Sequence, residues 1–407
     1  MSPKPEGRPD RRRHGGRGNG GRPVRARQPR GRSRVGERFE AVVGPVAHGG
    51  HCVARVADGE SQRVVFVRRA LPGERVVLEI TEGTDGDRFW RGDAIEILSA
   101  APDRVAAPCP AARPGGCGGC DFQHVTLAAQ RGLKATVVRE QLSRLAGLDV
   151  DVEVEAVPGD VEGLRWRTRQ RYVDVPGAPH ARGMRAFRSH DVIPVEECLI
   201  AAPGAREGGA GSEETVVETV AVGSEEHRFT VAADGFWQVH PGAPSTLVST
   251  VLSMLDPQPG ESVLDLFSGV GLFAAFLADH VGPTGRIVAI EGDRRASAYS
   301  AQNVPSAEVA CGDVATVLGS DFTDEFDLVV LDPPREGARR AVVEAVLARS
   351  PRAVAYVACD PAALARDVAL FADGGYELAQ LRAFDLFPMT HHVECVALLT
   401  KTGSDLR

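Results

Sequence analysis

The chain reads as an α/β protein: a doubly wound parallel sheet in its C-terminal half, preceded by a small β-barrel and a mixed α+β segment. Three observations predict this. Ser262–Ala278, SVLDLFSGVGLFAAFLA, is a strand, a glycine turn and a helix, the first βα unit of a doubly wound sheet. RIVAIEGD at Arg286–Asp293 and FDLVVLDPPREG at Phe326–Gly337 are further apolar strands that end in acids. From Val35 to Ala100, short alternating strands are broken by turn signals such as Asp58-Gly59, as in a small barrel.

Composition narrows the function. The 407 residues carry a formal charge of −8 and are 43% hydrophobic, enough for two or three cored domains. Residues 1–34 hold Lys4 and eleven Arg against Glu6 and Asp10, a disordered, nucleic-acid-seeking tail or a solubilising extension. The body is acidic, so nucleic-acid contact should rest on this tail and on local patches. No apolar run is long enough to span a membrane and no signal-type leader opens the chain. A cytoplasmic protein is expected.

After the barrel come Cys109, Cys117 and Cys120, then Cys198, spaced as four thiolates that can close one metal centre. Zinc or an iron–sulfur cluster would fit, and disulfides are the weaker reading in a reducing compartment. Cys52, Cys311 and Cys395 lie singly in apolar strands and read as core. A helix is expected over Leu133–Leu148, ending at Gly147. Arg165, Arg167, Arg169 and Arg171 alternate in a strand-like run, either a phosphate-contact strip or a solvated strand face. REGGAGSEE at Arg206–Glu214 is a loop.

In the C-terminal half a helix is expected from about Pro244 to Leu255. Asp265 then closes a strand, and Gly269 and Gly271 let backbone approach a ligand. Glu291 ends the second strand, where a carboxylate can grip the ribose hydroxyls of a nucleoside cofactor. Asp313 follows the third strand and Asp332 the fourth. In AYVACDPAALARD, Cys359 sits where a buried strand hands over to a helix capped by Asp360. There the dipole favours a thiolate, so Cys359 is either a nucleophile or a small buried filler. Glu394 lies in the apolar last strand, where a carboxylate costs energy unless it is paired or held for chemistry.

These segments resemble known families. FVRRALPGERV at Phe66–Val76 resembles a TRAM domain, an RNA-binding barrel of OB-like build. CGGCDFQH at Cys117–His124, WRTRQRYVDV at Trp166–Val175, GMRAFRSHDVIPVEECLI at Gly183–Ile200, FWQVH at Phe236–His240, the Asp332-Pro-Pro-Arg tip and THHVEC at Thr390–Cys395 resemble, in order, the RNA uracil-5-methyltransferases. The resemblance implies a C-terminal Rossmann-like, S-adenosylmethionine-dependent methyltransferase domain, 233–407. It also implies a TRAM barrel, 35–100, and a mixed α+β iron–sulfur and RNA-binding domain, 101–232. Cys359 would add to uracil C6 and Glu394 would be the general base. Gln238, Asp265, Phe267, Gly269, Gly271, Glu291, Asp313 and Asp332 would serve the cofactor, with Asp332 also able to reach the base. Cys109, Cys117, Cys120 and Cys198 would hold a [4Fe–4S] cluster, zinc being the less favoured occupant. The expected partner is RNA, 23S rRNA before the tRNA T-loop, for a chain acting alone. Nicotinamide dehydrogenases, DNA cytosine-5 methyltransferases and a non-catalytic RNA-binding protein of the same fold are the alternatives.

Overall fold

The computed structural model describes residues 31–160, 162–207 and 214–403. The expected tail thus lies outside the described residues up to position 30. Gly31–Arg34 are seen against the barrel: Ser33 bridges Thr84, and Arg34 reaches Glu37 at 3.0 Å and Asp58 at 3.1 Å.

Five strands, β1 (Arg38–Ala47), β2 (His51–Asp58), β3 (Ser61–Arg68), β4 (Arg75–Glu82) and β5 (Phe89–Ser99), close a barrel in the order β1-β2-β3-β5-β4. Alternate residues face inward, among them Cys52, Ala54 and Val56 on β2 and Val76, Leu78 and Ile80 on β4, around a fully buried Trp90. Buried Glu74 staples the barrel's lower loops by accepting from the Leu71 and Ala101 amides and from Arg104.

Helix α1 (Leu127–Ala146) begins six residues before the expected start and ends at left-handed Gly147. The extra turns form because buried Gln130 donates to the carbonyls of Phe122 and Val125, anchoring the first turn, while interior Gly132 is tolerated. The middle segment holds β6 (Val154–Glu155), β7 (Arg167–Gln170), β8 (Val173–Val175), β9 (Ala178–Arg185), β10 (Val192–Pro194), β11 (Ala201–Glu207), β12 (Thr215–Val222) and β13 (Glu225–Ala232) in small sheets. Arg206 and Glu207, expected in a loop, end strand β11; residues 208–213 lie outside the described chain.

The rest alternates: α2 (Ala243–Leu255), β14 (Ser262–Leu266), α3 (Leu272–Val281), β15 (Arg286–Glu291), α4 (Arg294–Asn303), β16 (Glu308–Cys311), α5 (Val314–Ser320), β17 (Leu328–Leu331), α6 (Arg339–Leu347), β18 (Ala353–Ala358), α7 (Pro361–Asp373), β19 (Tyr376–Phe384) and β20 (Glu394–Lys401). The strands form one sheet in the order β16-β15-β14-β17-β18-β20-β19-β6. The first five are parallel, and β15, β14, β17 and β18 are buried on both faces, one apolar core lying under α1, α5, α6 and α7 and the other under α2 and α3. Strand order reverses between β14 and β17, so a crevice opens at their carboxyl ends, the place where such sheets bind ligands. Cys311 ends edge strand β16 and is exposed, whereas Cys52 and Cys395 are buried. The expectation of a core Cys311 fails because an edge strand has a neighbour on only one side.

Candidate active site

Most of the acids expected at the cofactor site gather at the carboxyl edge. Asp265 ends its strand fully buried; one oxygen accepts from the Ala274 amide at 2.9 Å, pinning α3, and the other has no partner. Ser268 Oγ is a second buried, unpartnered polar atom there. From Phe267 to Gly271 the backbone is bent out of ordinary space: Phe267, Gly269 and Gly271 have φ of 63°, 56° and 91°. A Cβ on Gly269 would meet no atom within 4 Å, so this turn presents bare backbone to open space. Glu291 closes the turn from β15, accepting from the Gly269 amide at 2.8 Å and the Asp293 amide at 2.7 Å. Burial, then the charges of Asp332 and Glu291, push Asp265 up to about 7; burial and Glu291 do the same to Asp332. Orphaned polar atoms beside a bare turn fit a nucleoside-bearing cofactor. Gln238, half-buried, lies just ahead of α2. Asp313 is exposed and spends one oxygen capping α5, at 3.0 Å from the Thr316 amide and 2.8 Å from its hydroxyl.

Cys359 follows β18 directly. Its neighbour Asp360 caps α7 through the Ala363 amide at 2.8 Å, with Pro361 opening the helix. Strand β20 runs antiparallel to β18 with Val357 opposite Val396 and Ala358 opposite Cys395. The next step along that register sets Cys359 against Glu394. Glu394 therefore belongs to an interior strand, between β18 and β19, and is 4% exposed. Burial, then Asp332, hold its carboxyl well above the usual range, while Arg335 pulls it back. Burial and then Glu394 push the Cys359 thiol up to about 12, and again Arg335 opposes. Thiol, carboxyls and guanidinium thus form one electrostatic unit in which only Arg335 favours the charged forms.

Cys359 opens into a cavity of about 90 Å³ lined by Phe122, Lys134, Arg335, His391 and His392, and by His48, Gly49 and Gly50 of the barrel. The sequence reading missed these histidines. His391 and His392 stand within four residues of Glu394 in the motif it used, a signal that could have found them. Nothing local marks His48. The loop carrying them is held from below: Lys134 Nζ donates to Asp385 at 2.5 Å and to the Phe387 carbonyl at 3.0 Å, and His391 Nδ1 lies 2.6 Å from Asp121.

Three family models match: TRAM domain at residues 32–95, methyltransferase small domain at 245–356 and tRNA (uracil-5-)-methyltransferase at 317–402. An RNA methyltransferase of Streptomyces avermitilis is 45% identical, covering 91% of this chain and 100% of that one. A 23S rRNA (uracil(1939)-C(5))-methyltransferase of Chromohalobacter salexigens is 32% identical, covering 88% of each. The chain belongs to the RNA uracil-5-methyltransferase family. It is an S-adenosylmethionine-dependent RNA methyltransferase built on a TRAM barrel and a Rossmann-like domain. The fold is also that of the Pyrococcus abyssi tRNA (uracil-54, C5)-methyltransferase solved with S-adenosyl-L-homocysteine, with TM-score 0.63, 20% identity and coverage of 89% and 100%.

In this methyltransferase the four expected metal ligands come from two parts of the chain and lie within electrostatic reach of one another. Cys117 feels the charge of Cys109, Cys120 that of Cys198, and Cys198 those of Cys117 and Cys109. Sulfur-directed donors stand beside two of them: the Gly119 amide lies 3.3 Å from Cys117 Sγ and Gln123 Nε2 lies 3.4 Å from Cys120 Sγ. Among the described residues no three His, Cys, Asp or Glu stand close enough to hold a metal ion as they are. The donor set fits a sulfur-ligated metal in kind, without being drawn to bonding distance. The arginine strip is corrected. Strand β7 spans only Arg167–Gln170, Arg165 lies before it at φ 59° and pairs with Glu197, and Arg169 is tied to the Gly235 carbonyl. Short pairing and a left-handed residue break the alternation that would have aligned four guanidinium groups. Among the described residues no helix is long and apolar enough to cross a membrane.

Proposed function

We propose that this methyltransferase modifies C5 of a uridine in 23S rRNA through a covalent adduct at Cys359. The observation that carries it is the register that runs from Ala358 opposite Cys395 toward Cys359, on the wall of one cavity, against buried Glu394. Uracil C5 is a poor nucleophile, so Cys359 thiolate adds to C6 and drives the electron pair onto the C4 carbonyl oxygen as an enolate. S-adenosylmethionine supplies the methyl group on an electron-poor sulfonium, held by Asp265, Glu291 and the Phe267–Gly271 turn, with Gln238, Asp313 and Asp332 as further contacts. As the enolate collapses, C5 would take the methyl group while the S–CH3 bond breaks onto sulfur, leaving S-adenosylhomocysteine. Glu394 then accepts the C5 proton, and elimination breaks the S–C6 bond to restore the thiolate and release 5-methyluridine. Arg335 offsets the negative charge that this sequence concentrates between Cys359, Asp332 and Glu394. The 32% identity to the 23S rRNA enzyme over most of both chains supports that RNA before tRNA. Work on rRNA would place the protein in the cytoplasm, acting alone.

We read the four cysteines as the holders of a [4Fe–4S] cluster that orders the central domain rather than taking part in methyl transfer. Iron and sulfide analysis after anaerobic purification would find both in the wild type and neither in Cys120→Ser; zinc in their place would overturn this reading. The function is tested with labelled S-adenosylmethionine on RNA from cells lacking the protein. Label in large-subunit rRNA as 5-methyluridine, lost in Cys359→Ala, is expected. Label in tRNA overturns the substrate, and full activity in Cys359→Ala overturns the nucleophile.

A further inference from the structure

The β1–β2 turn of the barrel belongs to the wall of the cavity that holds Cys359. Ala47 pairs with His51, so His48, Gly49 and Gly50 form the whole connection, with φ of 93° and 76° at the two glycines. The turn is pressed onto the Glu394 loop: a Cβ on Gly50 would come within 2.6 Å of the His391 Cβ. This seating points His48 Nε2 at Asp360 Oδ2, 3.0 Å away, while Asp360 Oδ1 accepts from the Ala363 amide at 2.8 Å. One carboxylate, next in sequence to the nucleophile, is therefore shared between the helix it caps and a residue 312 positions upstream. The proposed chemistry assigns no work to His48.

We propose that His48 is a positioning residue for Cys359: by binding Asp360 from the barrel it fixes the strand-to-helix corner that carries the thiol and offsets the carboxylate charge beside it. This rests on the reading of Cys359 as nucleophile. Asp360 is one of the charges that oppose thiolate formation, with Glu394 and Asp332, while Arg335 favours it. Burial, Glu394 and Asp332 outweigh Asp360 here, and a protonated His48 offsets the Asp360 share. The pairing sustains its own charge state: the hydrogen bond that His48 donates to Asp360 raises His48 above 6.5 against its burial, Glu140 on α1 adds to this and Arg366 on α7 opposes it, while His48 holds Asp360 down. With a raised histidine, the charged pair is complete below about 6.5 and is lost as pH rises through the raised value. The barrel thereby completes the nucleophile's surroundings, and only a chain with its barrel seated on the catalytic domain has the full set.

His48 is 39% exposed in its side chain, so its replacement should fold. The experiment follows alkylation of Cys359 by iodoacetamide against pH, read on the Cys359 peptide by mass spectrometry in the full-length protein, beside single-turnover methyl transfer. His48→Ala should slow Cys359 alkylation and methyl transfer about threefold below about pH 6.5, the difference from the wild type closing as pH rises through the raised histidine value, with KM for S-adenosylmethionine unchanged. His48→Lys should restore both rates there and keep the benefit at higher pH, whereas His48→Gln, which can bond Asp360 without charge, should not. A His48→Ala profile that superposes on the wild type, or complete recovery by Gln, would overturn the proposal. If instead Cys359→Ala still methylates RNA, the nucleophile reading fails, whatever the His48 variants do.

Discussion

Burial and Asp332 keep the Glu394 carboxyl well above the usual range, and a base must be ionised to accept a proton. With Glu394 as the proposed base, its protonated form does no chemistry, so methyl transfer should rise with pH as the raised carboxyl, and then the Cys359 thiol at about 12, give up their protons. Removing the carboxylate while keeping its shape separates the two halves of the reaction. Glu394→Gln should slow turnover by about a hundred- to ten-thousand-fold, yet leave the addition at Cys359 intact. Methylated RNA should then stay attached to the protein, seen as a slow band on a denaturing gel that disappears when Cys359→Ala is added. Turnover of Glu394→Gln at the wild-type rate would assign the base elsewhere.

Elements set these residues by their ends. The β14–α3 turn is tight enough that Gly271, at φ 91°, has Val304 Cγ2 2.8 Å and Ser300 Oγ 3.0 Å from where a Cβ would stand. Gly271→Ala should cost about 1–3 kcal/mol in thermal unfolding, from the left-handed backbone and the squeeze on α4 together. A melt indistinguishable from the wild type would show that the turn relaxes freely. In the barrel, burial alone would raise Glu74, but Arg104 and the Leu71 and Ala101 amides together outweigh it and hold the carboxyl below its usual range. A lowered carboxyl contributes stability above about 4.5 that is lost as pH falls through its folded value. Wild-type stability should therefore fall on acidification in that window, and Glu74→Gln should flatten the fall while costing about 1–3 kcal/mol near neutrality. Equal acid slopes in the two proteins would contradict this.

The whole molecule is joined around the loop from Asp385 to Val393. Lys134 and Asp385 form an ion pair with no side-chain exposure, tying α1 to this loop; Asp121 ties the cysteine segment to it through His391, and His48 ties the barrel to Asp360 at the start of α7. Breaking a buried pair leaves a charge without its partner, which costs more than the pair contributes. Lys134→Met should lower unfolding stability by about 3–5 kcal/mol, and Lys134→Met with Asp385→Leu should recover part of it. Losses that simply add would show that the two residues act independently.

Local pattern was enough to show the strand, turn and helix of each βα unit. Cys359 at a strand-to-helix corner and the acids at strand ends were equally legible, because periodicity and turn chemistry are short-range properties of the chain. The first turns of α1 were not, since Gln130 anchors them to carbonyls outside the helix. Nor was the fate of the arginines, which depended on where β7 found a partner, or the exposure of Cys311, which depended on which strand became the edge. The amino-acid sequence by itself determined that this chain is a barrel followed by a methyltransferase sheet, with a cysteine at a strand-to-helix corner and a glutamate in the last apolar strand. Only the tertiary structure decided that Glu394 lies on an interior strand opposite Cys359 and that His48 reaches Asp360. Those contacts join residues far apart in sequence, and strand order and domain seating, not residue type, bring them together.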